Sequence, residues 1–260
     1  MIARFRPVLA ALLLMAAPGC VDKPTEHRVR ANAYLRAGDA EKALAECDAG
    51  LAANPGDVSL LILRGKALFE LERYAPARES YAQAIEKGSS LESRALTEAH
   101  LGLAMIAVRT NDHAEARRQF QKLVDINGRD ADARLNLARV CLQLNDVDCA
   151  LQHGVEAGHL RGTDESVLFT LGRIYVVAKK FDDAEKTFAH ICEVVPGAAS
   201  CPYGLALVAA QRGNRPRALE KLREAIDKKL PSPAKIADDP LLAPIKEDVE
   251  FQKLAGQARN

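Results

Sequence analysis

Six cysteines are the residues of this chain best equipped for covalent chemistry, at positions 20, 47, 141, 149, 192 and 201. A thiol can carry an acyl chain, pair with another thiol, ligate a metal or attack a carbonyl, and its neighbours decide which. Cys149 and His153 stand one helical turn apart, but no second ligand pair lies at metal spacing and the six histidines are scattered, so no metal or other cofactor is expected. Nucleophilic catalysis finds no framework either. The chain lacks GxSxG, HExxH and a glycine-rich phosphate loop. Ser232-Pro233-Ala234-Lys235 fits SxxK, but it sits in a proline-broken stretch without the companion motifs of serine acyl-transferases. The expectation is a non-enzyme without a small-molecule substrate. With a formal net charge of +1 and no basic block, nucleic acid is not expected as a partner.

The elements that hold these residues repeat. Glu165 to Ala198 reads ESVLFTLGRIYVVAKKFDDAEKTFAHICEVVPGA, with Gly172, Tyr175, Ala184, Phe188, Ile191 and Pro196 at the spacing of two amphipathic helices joined by a tight turn. A small residue recurs at Ala31, Gly65, Ala104, Ala138, Gly172 and Ala206. Each is followed twelve residues later by alanine, at 43, 77, 116, 150, 184 and 218. The steps are 34, 39, 34, 34 and 34 residues, so a five-residue spacer around Glu92 to Leu96 interrupts a fixed period. This period and pattern resemble the tetratricopeptide repeat (TPR) from about Pro24 to Leu230, although the chain has no tryptophan. The resemblance implies an all-α, right-handed solenoid of six helix-turn-helix repeats, at 24–57, 58–91, 97–130, 131–164, 165–198 and 199–230. A hairpin cannot bury its apolar stripe alone, so neighbours stack into a continuous core with an extended concave face. Tyr81, Phe120, Phe188 and Leu222 are expected to fill that core. After Leu230 the pattern breaks at Pro231 and Pro233, Asp239-Pro240 reads as a helix start, and 231–260 is expected to cap the last hydrophobic edge or, alternatively, to form a docking surface.

The first nineteen residues are of another kind. Arg4 and Arg6 precede an apolar run from Val8 to Ala17, the layout of a secretory signal. As a helix the run would span about 15 Å, half of what a bilayer needs. Ala17-Pro18-Gly19 before Cys20 resembles a bacterial lipobox, with Ala17 in the place of the usual leucine. The resemblance implies cleavage after residue 19, acylation of Cys20 and a short lipidated tether at 20–23. Val21 after the cysteine implies sorting to the outer membrane, facing the periplasm. Removal of residues 1–19 leaves 34 basic and 35 acidic residues, so charge does not hold the chain on a membrane, whereas acyl chains can.

Within the repeats, Cys141 and Cys149 flank the turn of the fourth hairpin, and Cys192 and Cys201 flank the turn between the fifth and sixth. In an exported protein two disulfides are expected, each contributing roughly 2.5 kcal/mol by loop-closure entropy. The alternative is four buried thiols. Cys47 occupies a core column and is expected to be a free buried thiol.

The TPR resemblance also points to the first helix of each hairpin as the partner-binding face. Its common contact places hold Arg28 and Asn32, Ile62 and Lys66, Leu101 and Met105, Leu135 and Arg139, Phe169 and Arg173, then Tyr203 and Leu207. From Ile62 onward they form an apolar strip flanked by Lys66, Arg139 and Arg173, suited to an amphipathic or apolar segment of a protein partner. The alternative is that these side chains pack between first helices or are covered by the chain's own ends. A lipobox cysteine, six TPRs and a short cap within 260 residues resemble the pilotin lipoproteins of type IV pili, the Tgl/PilF/PilW family. That likeness implies an outer-membrane secretin as the protein partner and the bilayer as the partner of acylated Cys20. The other reading is an envelope adaptor that collects peptidoglycan hydrolases.

Overall fold

A computed structural model describes residues 23–88, 93–230 and 233–257. The expected signal segment, Cys20 and Ser232 lie outside the described residues. Six helix pairs follow one another along the chain: α1 (Lys23–Arg36) with α2 (Ala40–Ala53), α3 (Val58–Glu70) with α4 (Tyr74–Lys87), and α5 (Ser93–Arg109) with α6 (His113–Ile126). Then come α7 (Ala131–Gln143) with α8 (Val147–Leu160), α9 (Glu165–Val177) with α10 (Phe181–Val194), and α11 (Ser200–Gln211) with α12 (Arg215–Asp227). Two 3-10 segments, Pro233–Asp238 and Pro240–Ile245, lead into α13 (Val249–Gln257). No strand occurs among the described residues.

Each hairpin turn is built the same way. Gly38, Glu72, Asn111, Asn145, Lys179 and Gly213 all have φ between 57° and 77°, and they stand at the repeat spacing. This left-handed residue lets the next N–H reach back five residues, as in Arg73 N to Leu68 O at 2.8 Å and Lys180 N to Tyr175 O at 2.9 Å, which closes off the first helix. The second helix starts at once, capped by Asp39, Asp112, Asp146 or Asn214 in four of the six hairpins. Where a new repeat begins, Asp57, Asp130 and Asp164 cap α3, α7 and α9 in the same manner.

The core runs through the stack as large side chains set against small ones. Phe188 lies against Gly172 of its own repeat and Gly204 of the next, and Tyr81 lies likewise against Gly65 and Gly102. A methyl at Gly65 would stand 2.7 Å from the Tyr81 ring, so the small residue is what admits the aromatic one. Phe120 is buried among Ala104, Ala116 and Ala138. Repeat four departs from the scheme: its large-residue column holds Gly154, and Ile174 reaches across from α9 to take the space.

The expected spacer before residue 97 is helical from Ser93, which makes α5 17 residues long where the other first helices have 12 to 14. The inserted residues thus add a turn to a first helix. At the far end Ile236, Leu242, Ile245, Phe251 and Leu254 bury themselves against Leu219, Leu222 and Ala225 of α12, so 236–255 covers the last apolar edge. No helix among the described residues is long and apolar enough to cross a membrane.

Candidate functional site

The first helices line two grooves of different character. Near the N-terminus, Arg28, Val29, Asn32, Ile62, Lys66 and Glu98 surround an open groove of about 690 Å³ between α1, α3 and α5. Its floor is Ile62, which is buried against α5 and offers only an edge. Lys66 is engaged, donating to Glu98 Oε2 at 2.6 Å. Farther along α5, Leu101, Met105 and Val108 form an exposed apolar strip, at 43%, 37% and 38% accessibility. They are exposed because α5 touches α7 less than any other adjacent first helices touch each other.

The middle and the C-terminal half differ from the sequence expectation of one continuous strip. Leu135 is buried where α7 meets α9, against Val167 of α9 and Ala157 of α8. Arg139 bridges the same two helices, donating to Thr170 Oγ1 at 2.9 Å and Ser166 Oγ at 3.0 Å, so it ties repeats together. Phe169 is sandwiched between Phe188 and Tyr203, with ring centroids 5.7 and 6.0 Å away. Tyr203 and Leu207 are buried under the C-terminal segment. Arg173 does not flank an open strip: its Nη1 pairs with Asp239 Oδ2 at 2.5 Å.

Asp239 is the centre of this closure. It receives Arg173 on both oxygens, the Tyr203 hydroxyl at 2.7 Å and the Leu241 N–H at 3.0 Å. Burial pushes its pKa up, but the Arg173 hydrogen bonds and charge, with Tyr203 and Leu241, outweigh it and hold the carboxyl below its ordinary value. The same burial, with the Asp239 charge, raises the Tyr203 phenol, which stays protonated and donates. Gln211 fixes the segment by donating to Leu241 O at 2.7 Å. A cavity of about 640 Å³ remains beside this contact, walled by Phe169, Leu230, Ile236 and Pro240.

The cysteines serve the joints. A disulfide links Cys141 to Cys149 across the turn at Asn145, with Cα atoms 5.8 Å apart, and another links Cys192 to Cys201 between repeats five and six, at 5.5 Å. Cys47 is a free buried thiol whose pKa burial pushes up to about 12, so it is unreactive as a nucleophile. His153 is buried beside Arg134 Nη1 at 3.4 Å from its Nδ1. Burial and that neighbouring cation lower its pKa, which makes it a neutral core residue. No group of three or more potential metal ligands occurs among the described residues.

A family model for the tetratricopeptide repeat matches residues 28–92, 101–157 and 169–233, which is most of the hairpin array just described. The chain belongs to the tetratricopeptide-repeat family. No curated protein matches the sequence. Among solved structures it is similar to YrrB, a TPR protein with an unusual peptide-binding site, at 25% identity and TM-score 0.59 over 76% of this chain and 95% of that one. PilW, a type IV pilus biogenesis factor, shares the fold at 18% identity and TM-score 0.62 over 90% and 99% of the two chains. Pseudomonas aeruginosa pilF does so at 14% identity and TM-score 0.62 over 92% and 98%.

Within this TPR array, the residue that sequence reading passed over as a site is Asp239. Asp-Pro signals a helix start, and Asp239 does cap the second 3-10 segment. Nothing in that dipeptide announces that the other carboxylate oxygen would meet an arginine 66 residues earlier.

Proposed function

We propose that this chain is a protein-binding scaffold anchored in a bacterial outer membrane through acylated Cys20, and that within this class it acts as a pilotin. In this role it captures secretin monomers of a type IV pilus and promotes their assembly, and thereby pilus-dependent motility. The observation that carries the binding role is the exposed strip Leu101, Met105 and Val108 beside the open groove of α1, α3 and α5. Apolar side chains left accessible along a helix, beside a groove, suit an apolar or amphipathic partner segment. The YrrB likeness supports peptide recognition by a TPR face. The pilotin reading rests on the layout of lipobox, six repeats and cap, and the fold held in common with PilW and pilF is compatible with it. The acyl chains keep the solenoid at the membrane, each buried methylene adding about 0.8 kcal/mol.

The test is secretin assembly in a strain lacking the gene and in a Cys20→Gly strain, followed as heat- and detergent-resistant multimer on a gel. The expected result is loss of multimer in both while monomer is still made. Normal multimer in both strains overturns the pilotin reading, and affinity capture of peptidoglycan hydrolases would then favour the adaptor.

A further inference from the structure

We propose that Arg173 and Tyr203 form a receptor for an acidic residue followed by apolar side chains in a partner segment, and that Asp239 to Leu241 is the chain's own occupant of that receptor. Covering the end of the solenoid does not require this contact. Ile236, Leu242, Ile245, Phe251 and Leu254 seal α12, and none of their side chains takes part in this contact. Asp239 instead passes over α11 to reach α9 and is held there as a ligand is held. A guanidinium fork meets both carboxylate oxygens, a phenol donates to one of them, and a side-chain amide reads the following main-chain carbonyl of Leu241. Among the described ion pairs, Arg173 has no other carboxylate.

Two further features suit an exchangeable occupant. The cavity of about 640 Å³ beside the carboxylate has Phe169, Leu230, Ile236 and Pro240 as its apolar wall, with Glu165 and Asp238 also at its lining, and the apolar wall suits the side chains that follow the acidic residue. The occupant is also tethered, with Asp239 twelve residues beyond the end of α12 at Asp227, and a short tether supplies an effective concentration on the order of millimolar. The tethered internal contact can therefore keep the site closed until a better-fitting acidic and apolar segment displaces it. This inference goes beyond the envelope reading, needing neither the lipid nor the secretin.

A labelled peptide with the sequence of residues 236–245, Ile-Ala-Asp-Asp-Pro-Leu-Leu-Ala-Pro-Ile, tests it against the whole chain without residues 1–19. Fluorescence anisotropy should give binding at least about tenfold tighter to the Asp239→Ala chain than to the unaltered chain, because the internal competitor has lost its carboxylate. Adding Arg173→Ala should abolish the gain, as should a peptide with asparagine in place of its second aspartate. Circular dichroism checks that the helices persist, and Asp239→Asn, which keeps the shape and removes the charge, replaces Asp239→Ala if that chain fails to fold. No gain in a folded variant, or a gain that survives Arg173→Ala, would show that Asp239 is a structural cap and overturn the proposal. Because no cell or secretin enters the assay, its failure stands apart from failure of the pilotin reading.

Discussion

Gly204 and Lys179 show how one residue type can be required at one place and merely advantageous at another. At Gly204 the Phe188 ring lies where a side chain would begin, and that ring is itself fully buried with Gly172 behind it, so it has nowhere to move. Gly204→Ala should therefore destabilise the protein by about 1–3 kcal/mol, the usual cost of overpacking, seen as a lower urea midpoint with an unchanged slope. Lys179 presents the opposite case. It sits in the left-handed turn position at φ 58°, where a Cβ costs about 1–2 kcal/mol, while Gly213 fills the equivalent turn of the next repeat. Lys179→Gly relieves that cost and gives back part of it as unfolded-chain entropy, so a net gain of about 0.5 kcal/mol is expected in the same assay. The small-residue column at Gly172 was legible in the sequence because it recurs every 34 residues. Gly204 was not, since the equivalent places in the two preceding repeats hold Asn136 and Thr170, and only the position of the Phe188 ring makes glycine necessary.

At the scale of the element, α8 is the exception in the stack. Glycines at 154 and 158 let Ile174 and Leu171 of α9 approach closely, and His153 is buried on the same helix next to Arg134. The fold resists charging this histidine, because burial and the arginines lower its pKa from the ordinary 6.5. The unfolded chain takes up that proton as pH falls through about 6.5, while the folded chain does so only at lower pH, so stability declines over that window by at most about 1.4 kcal/mol per pH unit. Denaturation midpoints measured between pH 7.5 and 5 should show this decline, and His153→Gln should flatten it. A decline that persists unchanged in the variant would assign it to other groups. The sequence offered Cys149 and His153 as the only nearby metal-type pair. Their actual fates, one in a disulfide across the turn and the other turned toward Arg134, depend on partners that α7 supplies.

For the molecule as a whole, period and polarity were enough to lay out the hairpins, their turns and a covering segment, because each of those depends on neighbours within one or two repeats. The binding face was only half legible, because which first-helix residues remain accessible depends on how far each first helix stands from the next and on where the chain's end returns. Leu101 and Met105 are open where α5 stands away from α7, Leu135 is closed where α7 meets α9, and Tyr203 and Leu207 are covered by a segment that follows them by some thirty residues. This divides the strip into parts that should respond differently to the same substitution. Leu101→Glu with Met105→Glu places two carboxylates in solvent and should change the unfolding free energy by less than about 1 kcal/mol, since exposed substitutions away from caps and cores typically cost within about 0.5 kcal/mol each. Leu135→Glu forces a carboxylate into the buried apolar contact with Ala157 and Val167 and should cost several kcal/mol. If the open half is the partner face, the first variant keeps its melting transition yet loses secretin multimer in the cell. The second loses multimer only through loss of folded protein, visible as a lowered melting temperature and steady-state level. Retention of multimer by the stable Leu101→Glu, Met105→Glu chain would remove the α5 strip from the binding face.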